Sequence, residues 1–407
     1  MTAARPARGE VELPAGKSHA IRAAWLAAQA RGVSTLDGLP RSDDVDRALA
    51  WIAAAGVAVE RRGGRATIAG LGAAPRFDGR FHAGDAGAVL RMGLFWLASG
   101  AGRATVDGSA ALGARPIEEG LRWLRRLGAG IRGEGLPLEV EARGLAGGRD
   151  EAEAEATSQF LSGRLLAAPS GRDDLELHLP ERVPSDDHVA STLRMLERFG
   201  VPARRERLAV RVAASAPLAA SPTLEPDASL RIVFACVPAM LGGRVRLRRA
   251  ALAPRDRGWE ALARAGTAFE VDGDALVVTG AVRAPLELDG DGDPDLVPPL
   301  VVVALLSPGA SRFRNVGRLR AKESDRLAAL EVAARELGGV TRREGADLVV
   351  EGGKRIRPAR LATRGDHRLA MSFALAKLVE PGIEIDDPGC VAKSAADFFP
   401  MLEAAVG

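Results

Sequence analysis

The sequence predicts an α/β protein of two domains, each holding three copies of a unit with two helices and several strands. Three observations carry this. Six segments with helical apolar spacing stop at Gly56, Gly128, Gly200, Gly266, Gly338 and Gly407, separated by 72, 72, 66, 72 and 69 residues. Glycine past the last turn takes the left-handed conformation that closes a helix, so the spacing marks a repeat. A second set of six helices, far more apolar, runs in phase with the first, and short β-branched or alternating runs lie between the two sets.

In chain order the first set reads "SDDVDRALAWIAAAG", "RPIEEGLRWLRRLGAG", "SDDHVASTLRMLERFG", "DRGWEALARAG", "ESDRLAALEVAARELG" and "AADFFPMLEAAVG". The second set starts at Ser18, Asp85, Thr157, Asp227, Asp295 and Asp366, at intervals of 67, 72, 70, 68 and 71 residues. Each start carries a good N-cap type. A helix that is apolar on most faces is a buried one, so this set belongs at the domain centres. The strands are expected at "VSTLDGL", "RATVDGS", "LELHLP", "RVRLRRA", "SRFRNV" and "IEIDDP". Six units make two domains of three, with the N-terminal strand completing the second domain. The expected boundaries are 13–224 for one domain and 1–12 with 225–407 for the other, with short crossings instead of long linkers.

Composition narrows the function classes. Apolar residues make up 47% and charged residues 27%, as in a soluble globular protein. A net charge of +3, scattered basic residues, no Tyr and 4% aromatics argue against a nucleic-acid binder. Two cysteines, Cys236 and Cys390, form no metal or disulfide pattern and read as packing residues. No apolar leader or long apolar run is present, so the expectation is a cytoplasmic protein without a membrane partner.

The polar residues that resist a structural explanation gather at helix starts. Lys17, Ser18 and Arg22 open one helix; "GDAGAVLR", "TSQF", "DPD" and "DHR" open others. Arg115 opens "RPIEEGL", Ser185 opens "SDDHVAS", and "RLRAKESDRLAAL" packs five charges into the positions from Arg320 to Arg326. Free N–H groups already make a helix start positive, so added Lys and Arg overload it unless an anion arrives. Converging starts therefore predict a cavity for phosphates and carboxylates, too positive to stand without a ligand. Bland readings hold elsewhere: Asp43 and Asp44 as N-caps, His19 and His82 as surface residues, His178 as structural.

The order "GKSxxxR", "GDAGxxxR", "ARPIEE", "TSQF", "PDLVP", "RAKESDR", "DHRLAM" and "DPGCVAKS" resembles the 3-phosphoshikimate 1-carboxyvinyltransferase (5-enolpyruvylshikimate-3-phosphate synthase) family, from Val11 to Phe399. The resemblance implies two domains of three βαβαββ repeats around buried parallel helices, an inside-out α/β barrel with the active site in the cleft between the domains. It implies a monomeric enzyme that transfers enolpyruvyl from phosphoenolpyruvate to the 5-hydroxyl of shikimate 3-phosphate, with no metal or organic cofactor. Carried over by motif, Lys17, Ser18 and Arg22 meet both substrates, with Arg22 on the shikimate carboxylate. Thr157, Ser158 and Ser185 hold the shikimate phosphate, and Gln159 lies against the ring. Gly87, Arg115, Arg326, Arg368 and Lys393 enclose phosphoenolpyruvate, with Lys322 and His367 beside them. Asp295 and Glu323 are the carboxylates for proton transfer, helped by Lys17, and which acts as acid in which step stays open. Two phosphates and two carboxylates call for such a ring of cations.

The sequence departs from the family pattern at Asp85, Ala88, Ala20, Ile21, His188 and Arg318. These departures keep a second reading in view, a repurposed paralogue that binds a phosphorylated metabolite without turnover. The sister enzyme acting on UDP-N-acetylglucosamine is a third reading, set back because Ala110 stands where it needs a cysteine.

Overall fold

The computed structural model describes residues 5–153, 157–353 and 355–407. The chain divides into two compact units, Ala15–Leu224 and the paired segments Met1–Pro14 and Glu225–Gly407.

The unit Ala15–Leu224 holds α1 (Lys17–Gln29), α2 (Asp43–Ala54), α3 (Gly87–Ala98), a single turn α4 (Ala110–Gly113), α5 (Glu118–Arg126), α6 (Ser158–Ala167) and α7 (Asp186–Arg198). Its sheets repeat one plan. Arg76–His82 runs parallel to Ala101–Asp107, which is antiparallel to Leu138–Arg143, and Gly130–Arg132 closes the sheet as a hairpin. Gly148–Glu151, Leu175–His178, Ala209–Val212 and Ala203–Glu206 follow the same order. A parallel pair needs a crossover, which α3 and α6 supply, so each repeat reads βαβαββ. In the first repeat the parallel neighbour shrinks to a bridge between Arg31 and Leu218.

The apolar helices α1, α3 and α6 are buried along almost their whole length. Trp25 packs 4.8 Å from Trp96 and 6.3 Å from Trp51, ring centre to ring centre. Gly93 permits this crowding, because a Cβ there would lie 2.6 Å from the Trp51 ring. Each fully buried large apolar side chain stabilises by about 1.5–3 kcal/mol.

The other unit holds α8 (Ala228–Leu241), α9 (Arg257–Arg264), α10 (Val297–Ala304), α11 (Arg326–Glu336), α12 (His367–Val379) and α13 (Phe398–Val406). The N-terminal strand Glu10–Glu12 pairs parallel with Arg244–Arg248, and Ala275–Thr279 and Ala268–Asp272 follow antiparallel. Glu287–Asp289, Ala310–Arg314, Asp347–Glu351 and Val340–Glu344 repeat the plan. The last repeat keeps only the parallel pair Arg360–Leu361 and Glu384–Ile385. Here α8, α10 and α12 form the apolar centre. Among the described residues no helix is long and apolar enough to cross a membrane.

Among the described residues, twelve long helices lie where the periodicity puts them, but three caps of the apolar set differ from the expected starts. Thr157, Asp227 and Asp366 do cap, accepting from the N–H groups of Gln159, Leu230 and Arg368. Ser18 and Asp85 do not, because Gly16 and Ala86 occupy those cap positions. Asp295 does not cap either. Asp293 takes that role for the turn Pro294–Leu296 that leads into α10, with Pro294 at the first helical position, where its missing N–H costs nothing. The Asp295 side chain is thereby released for other partners.

Candidate active-site residues

In the unit Ala15–Leu224, the start of α1 faces the start of α2. Lys17 Nζ donates to Asp44 Oδ2 at 2.9 Å. Asp44 is therefore not the cap residue that its sequence context suggests; it is a buried counter-charge, and Ser42 holds the cap position without a side-chain bond to the helix N–H groups.

One turn into α1, Arg22 is buried and reaches three helices. Its Nε donates to Thr192 Oγ1 of α7 at 2.8 Å, Nη2 to Ser162 Oγ of α6 at 3.0 Å, and Nη1 to the Ser18 carbonyl at 2.9 Å. No carboxylate pairs with it among the described residues, and burial pulls its pKa down to about 10. A buried cation held only by hydroxyls and carbonyls is costly, which points to an anion as its missing partner.

A second group joins α3, α6 and the segment before α5. Arg91 Nη1 donates to Gln159 Oε1 at 2.7 Å, and Nη2 donates to the Pro116 carbonyl at 3.1 Å. A Cβ on Gly87 would sit 3.0 Å from Arg91 Nη1 and 3.1 Å from Arg115 Nη1, so Gly87 leaves room where two guanidinium groups meet. Thr157 and the buried Ser158 open α6. Ser185 opens α7 with φ 50° and ψ 53°, a left-handed conformation unusual outside glycine.

In the other unit, Arg326 is fully buried at the start of α11 and binds three carboxylates. Its Nε donates to Asp366 Oδ2 at 2.7 Å, Nη1 to Asp295 Oδ1 at 2.7 Å and Nη2 to Glu323 Oε2 at 2.6 Å. Burial disfavours its charge, but the three carboxylates outweigh burial and raise its pKa well above the usual value. Arg368 Nε lies 3.3 Å from Asp295 Oδ2 and its Nη1 lies 3.9 Å from Asp227. Lys322 Nζ stands 4.0 Å from Asp295, and Lys393 Nζ stands 3.9 Å from Glu323. Burial pushes Asp295 up, yet Arg326, Arg368 and Lys322 win and hold it well below the carboxylate range. Burial lowers Lys322 against the pull of Asp295. His367 is buried beside Asp366.

The expectation that these helix-start cations lack protein counter-charges is corrected for this unit. Among the described residues, Lys322, Arg326, Arg368 and Lys393 stand with Asp227, Asp293, Asp295, Glu323 and Asp366. A buried guanidinium cannot wait uncompensated, so the fold supplies carboxylates that composition alone does not assign. The arrangement offers two carboxylate–lysine pairs, Asp295 with Lys322 and Glu323 with Lys393, both fastened to one arginine.

Sequence reasoning missed Asp44, Arg91, Ser162, Thr192, Asp227, Asp293 and Asp366 as partners of the site residues. Arg91 had a signal, standing four residues after Gly87 on one helix face. Ala20, Ile21, Asp85 and Arg318, four of the departures from the family pattern, have local reasons. Ala20 and Ile21 are fully buried in the core. Ser109 Oγ donates to Asp85. Arg318 pairs with Asp291 at 3.9 Å, and its Nη1 donates to the Asp291 carbonyl at 3.1 Å. Burial raises the Cys236 thiol far above its usual value, and burial with Asp387 pushes Cys390 up to about 11, so neither is an activated nucleophile.

Comparison with known proteins agrees along the whole chain. The model of the family described as EPSP synthase (3-phosphoshikimate 1-carboxyvinyltransferase) matches residues 1–402. The 3-phosphoshikimate 1-carboxyvinyltransferase of Shewanella amazonensis is 32% identical over 407 residues, covering 96% of this chain and 95% of its own. That of Shewanella sp. MR-7 is 31% identical over 410 residues, covering 97% and 96%. A solved EPSP synthase from Acinetobacter baumannii, 25% identical, superposes with a TM-score of 0.82 over 98% of this chain and 96% of that one. With the repeats, the helix-start residues and these matches in agreement, the chain belongs to the EPSP synthase, or 3-phosphoshikimate 1-carboxyvinyltransferase, family.

Proposed function

We propose a division of labour among these residues for the family's reaction, transfer of enolpyruvyl from phosphoenolpyruvate to the 5-hydroxyl of shikimate 3-phosphate with release of phosphate. The hydroxyl oxygen bonds to C2 of phosphoenolpyruvate while the hydroxyl loses its proton and C3 gains one. The tetrahedral intermediate then loses a proton from C3 as the bond from C2 to the phosphate oxygen breaks. Each stage needs one group to take a proton and one to give it. The observation that carries this reading is Arg326 gripping Asp295 and Glu323 on its two terminal nitrogens. That grip fixes two carboxylates in separate places, each with a lysine nearby.

In this reading Asp295 serves the hydroxyl and Glu323 serves C3. Lys322, Arg326, His367, Arg368 and Lys393 bind phosphoenolpyruvate together with Gly87 and Arg115, and fixed cations there stabilise charge on the departing phosphate. Arg22 takes the shikimate carboxylate, which supports its burial without a counter-charge. Thr157, Ser158 and Ser185 take the shikimate phosphate, Gln159 lies along the ring, and Lys17 and Ser18 touch both substrates. Both units contribute residues to this assignment, and the working unit is a single cytoplasmic chain. The test is phosphate release from the two substrates together, against either alone. Tight binding of shikimate 3-phosphate without turnover favours the paralogue reading instead.

A further inference from the structure

The loop that delivers Asp295 reads "DGDGDPD" from Asp289, and its carboxylates are sent to different partners. Asp289 Oδ2 accepts from Asn315 Nδ2 at 3.2 Å, Asp291 faces Arg318, and Asp295 binds Arg326 and Arg368. Asp293 is different. Its Oδ1 accepts the backbone N–H of Asp295 at 3.0 Å, so it holds the main chain of the residue whose side chain is bound on both oxygens. The charged groups that act on Asp293 are Asp295 in the same turn, Lys322 before α11 and Arg368 at the start of α12.

We propose that Asp293 is a further positioning residue of this site, and that it takes up a proton as the anionic substrate binds. The inference rests on the assignment of Lys322, Arg368 and Asp295 to the family's reaction. With Asp293 ionised, an arriving phosphate or carboxylate meets one more negative charge beside Lys322 and Arg368. With Asp293 protonated, Arg368 and Lys322 have one anion fewer to share. Burial first, then Asp295, pushes Asp293 up to about 7, so this exchange falls in the neutral range. An anion bound beside it raises its proton affinity further, and by linkage a proton on Asp293 strengthens anion binding equally.

The sign follows. Below about pH 7 Asp293 is neutral and the anion binds well; above it the added charge weakens binding. The test is KM for phosphoenolpyruvate and kcat, from pH 6 to 8.5 at saturating shikimate 3-phosphate, for the wild type, Asp293→Asn and Asp293→Ser. Both variants keep a cap acceptor for the Asp295 N–H and lack the titrating charge. The expected result is that wild-type KM rises roughly five- to tenfold more than that of either variant across this range, with the difference in KM and not in kcat. The variant-to-wild-type ratio cancels titration of the substrate's own phosphate. Coincident KM profiles, or a wild-type KM that is flat with pH, overturn the role of Asp293 while leaving the reaction in place. A wild type that releases no phosphate at any pH removes both readings.

Discussion

Lys17 and Asp44 bind across 2.9 Å from the starts of two successive helices, with little of either side chain exposed. The pair gives Lys17 a fixed direction, because a partly buried ammonium group with one carboxylate partner has one favoured rotamer. Removing either partner leaves a buried charge alone, at a cost of about 3 kcal/mol. Asp44→Asn is therefore expected to lower the melting temperature and also to reduce kcat, although Asp44 is not assigned a substrate contact. A thermal melt and a turnover assay on the same preparation check this. Unchanged kcat in Asp44→Asn would detach Lys17 from the chemistry.

Asp295→Asn and Glu323→Gln each remove one proton-transfer group while keeping size and one acceptor oxygen for Arg326. Turnover is expected to fall by roughly 10²–10⁴ in either variant, with smaller changes in KM. Arg326 keeps Asp366 in both, so both variants are expected to fold. Single-turnover kinetics distinguish the two, because loss of the group serving C3 slows exchange of the C3 protons with solvent more than loss of the group serving the hydroxyl.

Arg22 offers a case in which affinity and stability part company. Arg22→Met removes a buried cation with no carboxylate partner among the described residues, so stability is expected to hold or rise. The KM for shikimate 3-phosphate is expected to rise roughly 100-fold, from the loss of charge-assisted hydrogen bonds. A destabilised protein with unaltered KM contradicts the assignment of Arg22 to the shikimate carboxylate.

Asp293 and Asp295 pull stability in opposite directions with pH. Asp295 has a depressed folded pKa, so its contribution is present above the unfolded value near 3.8 and disappears as pH falls below it. Asp293 is raised from 3.8 to about 7, so between these values the folded state holds the extra proton and stability declines as pH rises. Asp293→Asn is expected to melt higher than the wild type at pH 8 by roughly 5 °C, with the gap closing towards pH 4. Melting curves at half-unit pH steps measure it, and parallel curves across that range rule it out.

The repeat, its twelve helices and the helix-start clusters were legible in the sequence because they are local. Apolar spacing, glycine stops and capping types act within one or two turns of chain. Lys17, Arg22, Asp295 and Arg326 stood out for the same reason, as charges at helix starts that local physics disfavours.

Apart from Glu323, which lies three residues before Arg326, what these charges face was decided by tertiary structure. Asp44 reads as a cap until α1 lies against α2; Thr192 and Ser162 reach Arg22 from 170 and 140 residues away, and Asp366 reaches Arg326 from 40 away. No local rule selects such partners, because burying a guanidinium requires whichever polar groups the packed helices bring near. The amino-acid order therefore determined where the cations stand. Only the packing of distant repeats determined that Asp295 and Asp366 join Glu323 around Arg326 while Arg22 meets no carboxylate among the described residues, since desolvation acts on neighbours in space and not in sequence.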